Sequence, residues 1–219
     1  MPCRHKLGRQ TARNRFLAVF SRRPGNPIPA GLLRHQPLQP VEEVERLARA
    51  ELVGTGLAQQ RLGAAADSAE LVQDSADGIT TNCGVLSIYQ RELAAHCRVP
   101  VAASALMQIP LVDRLLPPRK RAGVLTFSAA LLGPDHLVAA GAAPDTPIVG
   151  AERGREFWRV IAREEMTLNI AAARQDILAA GDELVAEHPE VGAVVLERAN
   201  LVPFARALRQ RLQIPVYDI

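Results

Sequence analysis

The chain has 219 residues, of which 48% are hydrophobic and 4% aromatic, enough for one large or two small domains with an aliphatic core. No apolar run approaches the roughly 18 residues of a membrane helix, so we expect no membrane span. The three cysteines form no CxxC pair, and the five histidines form no HxxxH or HExxH pattern. These features predict a reduced, cytoplasmic protein without a metal site, and they argue against a disulfide-stabilised scaffold.

The net charge of +3 hides an uneven distribution. Residues 1–34 carry eight Lys or Arg and no Asp or Glu, whereas the remaining 185 residues carry 18 basic and 23 acidic side chains. The basic segment is compatible with a nucleic-acid-binding arm, a transit-peptide-like segment or a poorly ordered leader, and we expect the leader. Nucleic-acid binding is not expected, because only Phe16 and Phe20 interleave the arginines as stacking residues.

Strands and helices alternate along the chain. Apolar runs predict strands at 16–20, around Ile79, and at 99–102, 122–127, 146–150, 191–196 and 214–218. Helical spacing predicts helices at 41–52, 57–62, 68–74, 85–97, 105–116, 131–140, 154–163, 169–187 and 201–212. Ser104 is the expected N-cap of the helix 105–116. This order is typical of βαβ units with parallel sheets covered on both faces. No Gly-rich dinucleotide fingerprint or P-loop follows a strand, so we predict no cofactor.

The most informative stretch lies at residues 77–86. Thr81 and Asn82 end a short strand, Cys83 stands where the strand becomes a helix, and Gly84 allows close backbone approach. The start of a helix stabilises a carboxylate and favours the thiolate form of a nearby cysteine. Cys83 is therefore equally well interpreted as a nucleophile or base and as a small buried hydrophobe.

A second strand ends in a related way. The apolar run 191–196 is followed by Glu197, Arg198, Ala199 and Asn200, just before a predicted helix. Two such ends facing each other across a cleft would form a site between two similar halves. Arg198 suits a carboxylate ligand. Glu197 is expected to pair with Arg198 or to lie at the domain interface.

Between residues 77 and 219 the chain resembles the aspartate/glutamate racemase family, the cofactor-independent amino-acid racemases and their hydantoin racemase relatives. The resemblance is carried by residues 77–84, 123–126 with Ser128, 134–137, 190–197 and 215–219. It implies an α/β fold of two doubly wound parallel-sheet, Rossmann-like domains related by a pseudo-two-fold axis, with the active-site cleft between them. We assign 1–103 plus 201–219 to the first domain, with 1–40 atypical, and 104–200 to the second.

The resemblance also implies a mechanism, in which one cysteine thiolate removes the α-proton of a carboxylate substrate and a second thiol returns a proton to the opposite face. Cys83 corresponds to the first cysteine. The expected substrate-binding residues are Thr81, Asn82, Gly84, Thr126, Ser128, Arg198 and Asn200. Arg198 stands where the family has its second cysteine, and a guanidinium that stays protonated is a poor proton donor or acceptor.

Three functions remain open from the sequence. The first is a cofactor-independent amino-acid racemase of the aspartate/glutamate type that uses Cys83. The second is a catalytically impaired, carboxylate-binding pseudoenzyme of the same fold, and the third is a single-cysteine decarboxylase or isomerase. The expected partners are a small carboxylate or amino-acid-like substrate and a second copy of the chain in a homodimer.

Overall fold

A computed structural model of the protein describes residues 17–20, 77–81, 83–163, 165 and 167–218. Asn82, the basic segment 1–34 apart from 17–20, and the helices predicted between 41 and 74 lie outside the described residues. Within the described residues, seven strands form one three-stranded and one four-stranded sheet. The protein is thus of the mixed α/β class, as its sequence predicts.

The three-stranded sheet has the order β1 (Leu17–Phe20), β2 (Gly78–Thr81) and β3 (Val101–Ala102). Strands β2 and β3 are parallel, whereas β1 is antiparallel to β2, with Leu17 opposite Thr81 and Phe20 opposite Gly78. The prediction of a parallel arrangement is therefore wrong for β1. The long stretch 21–77 separates it from β2, so a single helical crossover does not fix its direction.

The four-stranded sheet is parallel throughout and has the order β5-β4-β6-β7. Its strands are β4 (Arg121–Thr126), β5 (Ile148–Gly150), β6 (Val191–Leu196) and β7 (Val216–Tyr217). Each overlaps a predicted strand, and β6 has the predicted bounds. Strand β7 pairs with β6, at the edge of this sheet. The division of the chain into two domains stays a prediction.

Helices connect the strands, several beginning with a short 3₁₀ segment. The α-helices are α1 (Gln90–His96), α2 (Ile109–Leu115), α3 (Pro134–Ala139), α4 (Glu156–Ala162), α5 (Ile170–Glu187) and α6 (Ala205–Leu212). The predicted helix 85–97 is a 3₁₀ helix, Gly84–Tyr89, followed by α1. Ser104 acts as the predicted N-cap, since its hydroxyl accepts the Leu106 N–H at 3.1 Å.

Both faces of the four-stranded sheet are buried under helices. Leu125 and Leu196 point to one face, where they pack with side chains of α4, α5 and α6. Val124 and Val195 point to the other face and pack with α2 and α3. This alternation confirms the predicted helix-covered parallel sheet. None of the described helices combines the length and apolar character required to cross a lipid bilayer.

We expect Leu125→Ala to lower the free energy of unfolding by about 2–5 kcal/mol, because it opens a cavity beneath α5. Leu125 is 0% exposed, whereas Leu111 on α2 is 62% exposed. The same substitution at Leu111 should change stability by less than about 0.5 kcal/mol. Urea unfolding of both variants checks this, and equal losses would contradict the described packing.

Candidate functional site

The ends of three strands meet at the side chain of Glu197. Glu197 directly follows β6, and its N–H donates to the Leu125 carbonyl at 3.0 Å, which continues the extended chain past the strand. One carboxylate oxygen accepts the Gly84 N–H, and the other accepts the Thr126 hydroxyl at 2.7 Å. The end of β2 is therefore tied to the ends of β4 and β6 through one carboxylate.

Gly84 is required by this close approach. A Cβ atom added at Gly84 would overlap the side chain of Glu197. Glycine is the one residue type that leaves the space for such a contact between backbone and side chain. The close approach anticipated for Gly84 from the sequence is thus made by a carboxylate of the protein itself.

Cys83 lies in the turn between β2 and the 3₁₀ helix. It is 5% exposed and packs with Leu86, Tyr89, Leu93 and Ala103. The Thr81 hydroxyl donates to the Ala103 carbonyl at 2.6 Å and accepts the Cys83 N–H at 3.4 Å. Thr81 therefore shapes the turn that carries Cys83. Cys97, which follows α1, is half-buried.

Arg198 points away from this junction. Consecutive residues of an extended chain face opposite sides, and Glu197 and Arg198 follow that rule. The Arg198 guanidinium lies 5.7 Å from the ring centroid of Phe127. Phe127 in turn stacks on Trp158 at 4.2 Å. The structure therefore places the Arg198 side chain beside an aromatic pair on the α4 side of the sheet.

The remaining predicted residues lie at the same edge of the four-stranded sheet. Ser128 is buried two residues beyond β4, and the next amide, that of Ala129, donates to a Glu152 carboxylate oxygen at 3.0 Å. Asn200 lies in the 3₁₀ helix that follows β6. Its Oδ1 atom is buried and has no hydrogen-bond partner among the described residues. Their roles in substrate binding stay predictions.

The buried carboxylate is the main electrostatic feature of the junction. Burial raises the pKa of Glu197 above its ordinary value of 4.5, while Arg198, the Thr126 hydroxyl and the Gly84 amide act in the opposite direction. Because a neutral carboxyl group can still accept the Gly84 N–H and donate to Thr126, this geometry suits both protonation states. Glu197 is thus a buried group that can exist with or without its proton.

Sequence reasoning missed the contacts of two acidic residues. The sequence predicts that Glu197 pairs with Arg198 or lies at an interface, and it gives no role to Glu152. Both follow a strand of the parallel sheet by one or two positions, where ligand-contacting residues commonly lie. Their position just after a strand was the sequence signal that could have identified both residues. Within the described part of the chain, no three His, Cys, Asp or Glu side chains cluster as metal ligands would.

Comparison with known proteins gives two curated relatives of this chain. One is a dimethylsulfoniopropionate lyase from Durusdinium sp. clade D, 27% identical over 146 residues, which are 64% of this chain and 48% of that protein. The other is dimethylsulfoniopropionate lyase 5 from Emiliania huxleyi (strain CCMP1516), 31% identical over 149 residues, 64% of this chain and 29% of that protein. The chain therefore spans less than half the length of either relative. No family model matches it.

Two solved structures of arylmalonate decarboxylase mutants also resemble the chain. The sulfate-associated form has a TM-score of 0.47 and 12% identity, covering 72% of this chain and 68% of that one. The liganded form has a TM-score of 0.48 and 14% identity, covering 74% and 70%. Scores this low do not establish a shared fold, so the resemblance to the aspartate/glutamate racemase family stays a prediction.

Glu197→Gln should stabilise the protein at pH 8. A raised folded-state pKa means that the contribution of Glu197 to stability is present below pH 4.5 and is lost as the pH rises through the folded value. Glutamine can keep both hydrogen bonds without carrying a charge. Thermal unfolding of the two proteins from pH 4 to pH 8 should show a Tm difference that favours the variant and grows with pH. A variant that is less stable at pH 8 would contradict this electrostatic description.

Gly84→Ala should destabilise the protein by about 1–3 kcal/mol, because the added methyl group overlaps Glu197. Gly78→Ala is the matched control at the other end of β2, where an added Cβ would lie an ordinary 3.6 Å from the Pro100 carbonyl. Its effect should stay below about 1 kcal/mol. Chemical denaturation of both variants measures the difference, and equal stabilities would argue against the Gly84–Glu197 contact.

Proposed function

We propose that the chain contributes the Cys83 site of a lyase that removes the α-proton of a small carboxylate substrate and expels a leaving group from the β-carbon. The observation that carries this proposal is the junction at Glu197, which holds the Cys83 turn against the carboxyl edge of a parallel sheet. Ligands of open α/β sheets bind at such edges. The names of the two curated relatives supply the reaction class and the substrate class.

The substrate of the proposed elimination is dimethylsulfoniopropionate, a carboxylate with a sulfonium group on its β-carbon. The Cys83 thiolate takes the α-proton, and the electrons of that C–H bond form the double bond between the α- and β-carbons. The bond from the β-carbon to sulfur breaks, and its electrons leave with sulfur as neutral dimethyl sulfide. Acrylate remains, and the Cys83 thiol later returns the proton to water.

This reaction needs a single base. Inversion of a stereocentre requires an acid and a base on opposite faces of one carbon, whereas a neutral thioether leaves without being protonated. By the resemblance to the racemase family, Arg198 stands at the position of the family's second cysteine. Loss of that cysteine impairs racemisation but leaves elimination intact, which favours the lyase over amino-acid racemisation.

A carboxylate-binding protein without turnover is the second candidate. The burial of Cys83 among Leu86, Tyr89, Leu93 and Ala103 favours it, because a packed cysteine is most often structural. In this case a carboxylate ligand would bind without losing its α-proton. Replacement of Cys83 would then leave ligand affinity unchanged.

The test is release of dimethyl sulfide from dimethylsulfoniopropionate by the purified full chain, followed by gas chromatography. Cys83→Ser should lower kcat/KM by about 10²–10⁴-fold, because the serine hydroxyl is a far weaker base. Cys97→Ser is the matched control and should retain the activity of the parent.

Two parallel measurements separate the alternatives. Single enantiomers of Asp, Glu and a 5-substituted hydantoin are incubated in deuterated water, where α-deuteration without dimethyl sulfide release would support the racemase. Thermal shifts with dicarboxylates but no turnover of any substrate would support the binding protein. Either outcome would overturn the lyase proposal.

A further inference from the structure

Glu197 is a buried ionisable group that the elimination itself does not use. Its side chain is 2% exposed, and it follows Val195 and Leu196 in an extended chain. The alternation places it on the face of Val195, where Val85 of the 3₁₀ helix also packs. The Glu197 carboxyl group therefore reaches from the four-stranded sheet towards the turn that carries Cys83.

Both oxygens of Glu197 already accept bonds from the protein. The Gly84 amide donates to one oxygen and the Thr126 hydroxyl to the other, the latter at 2.7 Å. These two protein donors fix the orientation of the carboxyl group. Its effect on chemistry would then be exerted through the residues that it holds.

The residue held most closely is the neighbour of the cysteine. Gly84 directly follows Cys83, and its N–H belongs to the peptide bond that joins the two residues. The amide on the other side of Cys83 donates to the Thr81 hydroxyl at 3.4 Å. Hydrogen bonds on both sides of Cys83 thus fix the backbone from which its sulfur projects. One is accepted by Thr81 at the end of the same strand, and the other by Glu197, which follows a strand of the four-stranded sheet.

We infer that Glu197 is the positioning residue for Cys83, holding its turn against the ends of β4 and β6. This inference rests on the proposed function, in which Cys83 is the base. Two groups contact the carboxyl directly, Thr126 at the end of β4 and the Gly84 amide of the turn, while Arg198 on its own segment acts on it through its charge from the opposite face. The role of Glu197 is to hold Gly84 and Thr126 by hydrogen bonds. An uncharged glutamine can perform it, since its oxygen can accept the Gly84 N–H while its amino group donates to the Thr126 hydroxyl.

The experiment compares Glu197→Gln with Glu197→Ala in a Cys3→Ser, Cys97→Ser background, where Cys83 is the one cysteine. Glu187→Ala, at an exposed position on α5, is the matched control and should behave as the parent. Two readouts are taken for each protein across pH 6–9: the rate constant for alkylation of Cys83 by iodoacetamide, and kcat and KM for dimethyl sulfide release. Far- and near-UV circular dichroism monitors folding.

Glu197→Gln should keep the alkylation rate and its pH profile close to those of the parent, with kcat within about tenfold, since the glutamine amide replaces both contacts. Glu197→Ala should accelerate alkylation about tenfold or more, because the lost bond releases the turn. Its kcat should fall about 10²-fold, the effect of misplacing a reacting group by about 1 Å, with a much smaller change in KM.

Thr126→Val provides a second test if Glu197→Ala does not fold. It removes one of the two bonds and should change the alkylation rate and kcat in the same direction, but less. Alkylation that is unchanged in Thr126→Val and in every folded Glu197 variant would overturn the inference. Glu197→Gln that keeps parental alkylation yet loses kcat as fully as Glu197→Ala would also overturn it, because Glu197 would then transfer protons itself.

The two readouts distinguish failure of the proposed function from failure of the positioning role. A parent protein that releases no dimethyl sulfide would reject the lyase proposal, while the alkylation rates would still report whether Glu197 positions Cys83. Parental activity with alkylation rates that do not depend on Glu197 would reject the positioning role alone.

Discussion

The hydrogen bond from the Gly84 amide to the buried Glu197 carboxylate is the contact on which the candidate site depends. It joins residues 113 positions apart and links the end of β2 to the four-stranded sheet. Hydrogen bonds to charged groups contribute more to stability than neutral ones, about 1.5–3 kcal/mol each. The cost of burying the carboxylate exceeds the gain from these partners, which is why the pKa of Glu197 is raised despite them.

The same contact brings the candidate base to the edge where a ligand of an α/β sheet would bind. Cys83 lies next to Gly84, so the carboxylate fixes the peptide that joins them. A single positioned thiolate is sufficient for elimination from a sulfonium substrate, because the leaving group departs neutral. The Arg198 guanidinium lies beside Phe127 on the opposite face, and its role in substrate binding stays a prediction. In the proposed lyase, one base would therefore be enough, which is why the lyase is proposed ahead of a racemase.

The sequence predicts the strands well because they lie in short apolar runs, as residues 191–196 before Glu197 illustrate. It also predicts the Ser104 cap, which depends on neighbouring residues. It fails for the direction of β1, which depends on a distant pairing, and for the bond between Gly84 and Glu197, which depends on packing between the sheets. The opposite orientations of Glu197 and Arg198 could have been predicted from the strand period of two, which assigns consecutive residues to different faces.

The most direct test of the Glu197 contact is an NMR titration of the Gly84 amide. We expect the Gly84 amide proton to resonate downfield, and to shift in wild-type protein with an apparent pKa above that of an ordinary glutamate, because it is bonded to the titrating carboxyl. In Glu197→Gln the same resonance should stay downfield and show no titration. A Gly84 amide proton at an ordinary chemical shift that ignores pH in wild-type protein would contradict the contact, and with it the positioning of Cys83.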